Sequence, residues 1–321
     1  MAAEPQQPPP GETAGSQTQA LIAAVLGAWP EHGRFLRTSF QDRSSELLRT
    51  TEHIAALLDR VAEDRKLPIS AFADAYRYLC EHIVYPEELF FRREGRYRLS
   101  TFEAAAAEVY DNPELMARYM DGLFVSDALW LNHASAMNDF ASHYLPASRR
   151  GGRHLEIGPG HGMLLHLALT YGDFSTLAAW DVSETSIAHT HRVLQLVGAA
   201  DRVELQLQNL FDPVALINHA GAFDSIVFSE VLEHLEQPHE ALAVIRQLLA
   251  PEGTVWINVP ANGPAPDHLY LLRSPDEARV AVEAAGFEVV RTAAYPVAGS
   301  SLERAIRQEL PISCVIVAKA A

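Results

Sequence analysis

The chain is short of cysteine, of positive charge and of long apolar runs. Cys80 and Cys314 are the only cysteines among 321 residues. Two cysteines so far apart make neither a disulfide framework nor a four-cysteine zinc site, so a reduced, cytoplasmic setting is expected. No apolar run approaches the roughly 20 residues of a membrane span. The N-terminus has no basic stretch ahead of an apolar one, so neither a membrane partner nor a signal peptide is expected. Lys and Arg number 25 against 41 Asp and Glu, a net charge of −16. The deficit holds on both sides of Arg150, with 15 basic and 21 acidic residues up to it and 10 and 20 beyond. Such a surface repels a phosphate backbone, and a nucleic-acid partner is not expected. Histidine is plentiful at fourteen, yet no pair has the four-residue helical spacing of a zinc motif. His189 and His191 are two apart and diverge on a helix, so no metal site is expected.

Three stretches differ in composition. Residues 1–18 are rich in Pro, Gln, Gly and Ala and read as a disordered tail. Residues 19–150 are helical in pattern and form an expected cap. Leu47, Ile54, Leu58 and Val61 recur at helical steps, with Glu46, Arg49, Asp59 and Arg60 between them. Ser70 is placed to cap a helix carrying Phe72, Tyr76, Leu79 and Ile83. Ser100 with Glu103 fits a capping box, and Asn112-Pro113 a cap with proline in the first turn. A long periodic run from Met116 to Tyr144 follows, with Gly122 as its candidate interruption. A short hairpin is read over Phe90–Leu99.

At Gly151 the pattern changes, and residues 151–321 alternate strand and helix. Expected strands are His154–Ile157, Thr176–Asp181, Val203–Gln208, Asp224–Ser229, Gly253–Val259, Glu288–Tyr295 and Ser313–Lys319. Helical runs fall at Met163–Thr170, Ser183–Gly198, Pro238–Leu249 and Pro275–Ala285. That alternation implies a mostly parallel sheet with helices on both faces, an α/β class.

The first strand ends in HLEIGPGHGM, so Gly158, Gly160 and Gly162 lie on a strand-to-helix turn with Pro159 and His161 between them. Glycines there let a nucleotide-like ligand approach the backbone. The third position after Gly160 is Met163, which departs from the dinucleotide fingerprint, and no Gly-Lys-Ser/Thr follows as in a P-loop. Asp181 ends the second strand 23 residues after Gly158, next to Val182, where its carboxylate faces a ribose; the other reading is a cap for the helix near Ser183. Asn209 ends the third strand where its side chain can meet an adenine amino group, with the Leu210 amide on a ring nitrogen. Asparagine also ends strands for turn reasons. Ser229 and Glu230 tip the fourth strand and close over the ligand.

Glu156 with the glycine turn, Asp181, Asn209-Leu210, FDSIVFSEVLEHL and LLAPEGTVWINVP together resemble the class I S-adenosylmethionine-dependent methyltransferases, small-molecule type. The resemblance covers about half the chain, from Gly151 onward. It implies a Rossmann-like seven-stranded sheet in order 3-2-1-4-5-7-6 with the last strand antiparallel, and S-adenosyl-L-methionine as cofactor. It also implies that Glu156, Gly158 and Gly160 surround the methionine portion while Asp181 holds the ribose. Asn209 stands where aspartate is frequent in the family.

The chemistry so implied is an in-line displacement at a sulfonium methyl, which needs alignment and removal of at most one proton. The loop VPANGPAPDHLYLL leaves the ligand-binding end of the sheet, and Asp267-His268 within it is the leading general-base candidate. His133, on an apolar helix face, is the second; a core histidine is its alternative. Tyr119, Trp130, His133, His234 and Tyr270 are candidate acceptor contacts. Seven of the ten tyrosines lie between Tyr76 and Tyr144, which suits a flat aromatic acceptor, a helical core or a homodimer face. The expected activity is methylation of an O- or C-centre of a small aromatic metabolite in specialised biosynthesis. The alternatives are a tRNA or protein methyltransferase and a non-catalytic methyltransferase-like module.

Overall fold

The structure, a computed structural model, describes residues 10–321. Among the described residues, nine α-helices precede the first strand: α1 Ser16–Ala28, α2 Gly33–Phe40, α3 Ser45–Asp64, α4 Ile69–Tyr78, α5 Tyr85–Glu94, α6 Phe102–Ala105, α7 Pro113–Leu129, α8 Leu131–Asp139 and α9 Leu145–Ala147. Wide π-helical turns continue α4 at Leu79–Val84, α6 at Ala106–Tyr110 and α8 at Phe140–Tyr144. The strands are β1 Gly152–Ile157, β2 Phe174–Asp181, β3 Val203–Leu207, β4 Phe223–Ser229, β5 Leu249–Ala261, β6 Phe287–Pro296 and β7 Ile312–Ala320. Between them run α10 Met163–Tyr171, α11 Glu184–Leu196, α12 Pro213–His219, α13 Pro238–Leu248, α14 Pro275–Ala284 and α15 Leu302–Arg307.

The seven strands form one sheet in the order β3-β2-β1-β4-β5-β7-β6. β1 to β5 pair in parallel, and β7 runs antiparallel to both β5 and β6. Central β4 is buried almost throughout, as a parallel strand covered on both faces must be. On one face, Ile226, Phe228, Val255 and Ile257 pack with Leu242, Ile245 and Leu248 of α13 and Val282 of α14. On the other, Ala179, Val227, Trp256 and Val315 share a single apolar cluster with α10 and with the N-terminal helices, through residues such as Phe140, Leu129 and Ile54. The helices that precede β1 therefore lie on the sheet itself.

Asp139 at the end of α8 fastens the two layers. It is buried, and accepts hydrogen bonds from Trp256 Nε1 at 3.0 Å, Tyr295 hydroxyl at 2.8 Å and two Arg291 nitrogens at 2.6 Å. Tyr144 adds a second tie, donating to Thr254 O at 2.9 Å.

Several sequence expectations need correction. α1 starts within the stretch read as tail: Thr18 is fully buried, and its amide and hydroxyl both donate to Glu52. The rest of that tail, residues 1–9, lies outside the described residues. Ser70 is not a cap; extended Pro68 precedes α4, and Ser70 sits in its first turn. The cap of α6 is Thr101 rather than Ser100, its Oγ1 accepting from Ala104 N. No hairpin forms over Phe90–Leu99. α5 continues to Glu94 and stops at Gly95, whose left-handed backbone (φ 67) closes the helix onto the Phe91 carbonyl. Gly122 does not break α7. A Cβ there would lie 2.8 Å from Leu79 Cβ and 3.0 Å from Ala75 O, so the glycine permits close contact with α4 and the turn after it. The break comes at extended Trp130. α12 and α15 were not anticipated.

Candidate active site

The glycine turn connects β1 to α10. Gly158, Gly160 and Gly162 have φ values of 72°, 55° and 80°, the left-handed region in which side chains are strained. A Cβ on Gly158 would also come within 2.6 Å of Val231 Cγ2. The turn is tied to the next strand by Gly158 N donating to Trp180 O at 2.9 Å. Thr190 Oγ1 donates to Gly160 O at 3.0 Å. Glu156 lies in register between Ala179 of β2 and Val227 of β4 and is 2% exposed. Its Oε2 has no hydrogen-bond partner. Burial, and then nearby Asp181, push its carboxyl well above the usual range.

Asp181 accepts from Ser183 N at 2.8 Å and from the Ser186 hydroxyl, so it steadies the start of α11, while Ser183 itself caps that helix. Burial raises its carboxyl against those hydrogen bonds. Val182 beside it is exposed. Asn209 is exposed and makes a tight turn, its Oδ1 accepting from Phe211 N at 2.9 Å, whereas the Leu210 side chain enters the core.

Under the glycine turn sits a carboxylate between two imidazoles. Asp127 Oδ1 is 3.4 Å from His133 Nδ1 and its Oδ2 is 3.0 Å from His161 Nε2. Burial would raise Asp127, but the two histidines outweigh it and hold the carboxyl low. Burial likewise opposes protonation of His133, and Asp127 and Glu230 overcome it. The His161 ring stacks on Phe124 at 4.7 Å, and the edge of Trp130 meets His133 at 4.8 Å. Trp130 Nε1 donates to Tyr76 hydroxyl at 2.8 Å.

A second polar group lies at the tips of β4 and β5. Glu230 has a left-handed backbone (φ 51) and accepts from Asn258 Nδ2 at 2.9 Å, which also reaches Ser229 Oγ at 3.2 Å. Glu233 is fully buried, and neither carboxylate oxygen has a hydrogen-bond partner. Burial and then Glu230 push its carboxyl well up. The Glu233 carbonyl accepts from Leu269 N at 2.7 Å and Tyr270 N at 2.9 Å, so the loop after β5 is pinned against it. On that loop His268 Nδ1 lies 2.6 Å from Gly263 O and its Nε2 3.9 Å from Glu233 Oε1. Burial lowers His268 to about 3, so the ring is neutral at pH 7. Asp267 accepts from Tyr110 hydroxyl at 2.9 Å and from Tyr119 hydroxyl at 3.2 Å. Burial opposes ionisation of Asp267, but His234 and Tyr110 help hold it below the usual range.

His133, Tyr119, Trp130, His161, His234, Asp267 and His268 thus fall into these two neighbouring groups. Tyr270 does not join them by its ring, which meets His239 at 6.0 Å. Glu233, Asp127, Tyr110 and Tyr97 were not singled out from the sequence. Glu233 and His234 are adjacent in SEVLEHL, which was the available signal; the other three depend on long-range packing. Tyr97 brings its ring edge to His268 at 5.5 Å, with its hydroxyl buried and unpaired. Buried polar atoms without a hydrogen-bond partner gather here: those of Tyr97, Glu156, His161 (Nδ1), Glu233, Asn258 and Asn262, while Asp127 Oδ2 faces His161 Nε2 at 3.0 Å and His154 Nε2 lies apart at the far end of β1 among the described residues. Native interiors leave few such atoms, and a cluster of them marks a place built to receive a polar ligand. An open glycine turn beside an unpaired carboxylate fits a ligand carrying an amino acid portion and a nucleoside.

Among the described residues no helix is long and apolar enough to cross a membrane. An uncharacterized protein of Synechococcus sp., syc1184_c, is 32% identical over 175 residues, 52% of this chain. The chain matches only 41% of that relative's length. Among solved structures, a SAM-dependent methyltransferase from Aquifex aeolicus aligns at TM-score 0.43 and 17% identity, over 68% of this chain and 99% of its own. An S-adenosylmethionine-dependent methyltransferase from Mesorhizobium loti aligns at TM-score 0.43 and 16% identity, over 57% and 97%. The family model described as a methyltransferase domain matches residues 129–292, just over half of the sequence. The chain belongs to that methyltransferase family, and its cofactor is S-adenosylmethionine.

Proposed function

We propose that the protein transfers the methyl group of S-adenosylmethionine to an O- or C-centre of a small aromatic acceptor in specialised metabolism. The reading rests on one observation: unpaired buried polar atoms from the helical segment and from the sheet converge beside the glycine turn. The helices of residues 19–150 serve as the acceptor-side cap, and residues 151–321 as the cofactor side. Glu156, Gly158, Pro159, Gly160, His161 and Gly162 would surround the methionine portion. Asp181 and Val182 would lie along the ribose, Asn209 and Leu210 by the adenine, and Ser229 and Glu230 beneath the sulfonium. The acidic surface, with 41 acidic against 25 basic residues, argues for a small acceptor over tRNA.

The cofactor supplies an electrophilic methyl on a cationic sulfur. The protein has to align an acceptor hydroxyl with it and take one proton. In this reading His268 Nε2 would accept the O–H proton of the acceptor as the acceptor oxygen takes up the methyl group. A hydrogen bond from Nδ1–H to Gly263 O fixes the tautomer that leaves Nε2 free. Glu233 Oε1 lies 3.9 Å from that nitrogen. Asp267 positions Tyr110 and Tyr119, which stay protonated because burial and then Asp267 raise both phenols. Tyr119, Trp130 and His133 would line the acceptor side, His234 would lie near its oxygen, and Tyr270 would shape the rim.

Calorimetry with S-adenosylmethionine and with NAD is the first test; binding of NAD alone would refute the reading. His268→Ala is expected to lower kcat by ~10²–10⁴ at saturating acceptor. An unchanged kcat would remove His268 from the proton path.

A further inference from the structure

Three side chains that share no helical spacing come together at the tip of β4. Glu233, His234 and His268 each offer a ligand atom, and these atoms all lie within 4.8 Å of one another. Glu233 Oε1 is 3.9 Å from the Nε2 of His234 and 3.9 Å from the Nε2 of His268. Ligands about 2.0–2.2 Å from a zinc-like ion stand roughly 3.0–3.5 Å apart, so inward movement of well under 1 Å per atom would close the shell.

The second observation is the state of those atoms. Glu233 is fully buried, with both oxygens unpaired, next to the two Nε2 atoms. Each imidazole is held from behind by a backbone carbonyl: His268 Nδ1 at 2.6 Å from Gly263 O, and His234 Nδ1 at 3.1 Å from Asp267 O. A carbonyl in that place requires the proton on Nδ1 and turns the Nε2 lone pair inward, which is how metal-binding histidines are usually oriented. The rings stand edge to face at 84°, with centroids 4.8 Å apart. Glu230 and Asp267 add negative charge close by, and carboxylates gathered in a dry site without a cation are costly.

We infer that Glu233, His234 and His268 bind a divalent transition-metal ion of the Mn²⁺, Co²⁺ or Zn²⁺ type, with Glu230 at hand as a further oxygen donor. Two nitrogens with carboxylate oxygen favour such ions over Mg²⁺ or Ca²⁺, which prefer all-oxygen shells. The inference deepens the methyl-transfer reading, on which its use depends: a bound ion would hold the acceptor oxygen and lower its proton affinity so that its proton leaves to solvent, and His268 takes that proton only in the ion-free protein. Ion binding itself does not depend on that reading.

The test is a Mn²⁺ titration of the full chain after chelator treatment, followed by electron paramagnetic resonance. One ion per chain is expected, with nitrogen modulation from two imidazoles in the pulsed spectrum. Glu233→Gln and His268→Ala are each expected to weaken binding at least tenfold, while His82→Ala, on the π-helical turn after α4, is not. No bound Mn²⁺ up to millimolar concentration, bound Mn²⁺ without nitrogen modulation, or binding indifferent to both variants would overturn the site. The wild-type spectrum decides the matter even where a variant does not fold. If Mn²⁺ binds with that signature and S-adenosylmethionine does not, the ion site stands and the methyl-transfer reading falls.

Discussion

Glu233 works against the stability of the fold that contains it. Its raised carboxyl means that the folded chain keeps a proton which the unfolded chain gives up. Stability from that group is full below the unfolded value near 4.3 and declines as pH rises toward the folded one. Glu233→Gln is therefore expected to stabilise the chelator-treated protein by about 1–3 kcal/mol at pH 8, and much less at pH 4.5. Urea unfolding at the two pH values measures this, and equal effects would contradict it. Gly158→Ala should act oppositely on function. Its Cβ would face a strained backbone and the Val231 methyl at 2.6 Å, so S-adenosylmethionine affinity should fall at least tenfold by calorimetry. The glycine turn and Asp181 were legible in the sequence because their constraint is local: a turn of fixed handedness and a strand tip. The partners of Asp267 were not. Tyr110 and Tyr119 reach it across 157 and 148 residues, a distance that no periodicity encodes.

At the scale of elements, α8 is held to β5 and β6 by one carboxylate. Asp139→Asn should cost about 2–3 kcal/mol, less than a fully buried pair because the Arg291 side chain is 35% exposed. Burial opposes ionisation of Asp139, but Arg291 and the Trp256 and Tyr295 hydrogen bonds outweigh it, so its carboxyl is depressed. That contribution is present above the unfolded value near 3.9 and is lost as pH falls through the lower folded one. The penalty of Asp139→Asn, read from denaturant midpoints, should accordingly be full at pH 7 and shrink toward pH 2–3. All seven strands among the described residues were legible: the buried central ones read as short apolar runs and the outer ones as shorter runs between turns. β5 runs longer than the expected Gly253–Val259, from Leu249 to Ala261, taking up Leu249, the expected end of the preceding helix. The N-terminal helices were legible as helices, and so was the start of α7, where Asn112 caps and Pro113 opens the helix, but other ends were not. Caps at Ser70 and Ser100 lost to neighbours one or two residues away, and the break expected at Gly122 lies at Trp130.

Across the whole molecule, one apolar cluster joins the N-terminal helices to the sheet. Thermal unfolding of the full chain should then be a single calorimetric transition rather than two. Saturating S-adenosylmethionine, at about 100 times its Kd, should add about 2.7 kcal/mol to that whole unit. Two separate transitions, only one of which responds to the cofactor, would show that the layers fold independently. The α/β class and the strand order were legible from the alternation and from the family likeness. That the helices preceding β1 pack on the sheet was not, because helix periodicity reports that a face is buried without reporting against what.

The π-helical turn at Ala106–Tyr110 has a consequence for how acceptor choice could change. A turn of this kind holds one residue more than an α-helical turn, and each residue of a helix is rotated about 100° from the last. Removing a single residue there would swing Tyr110 to another side of its helix and take its hydroxyl from Asp267, while leaving the glycine-lined half of the cleft intact. A lineage could thus exchange what is methylated by an insertion or deletion of one codon, far from any residue that grips the methyl donor.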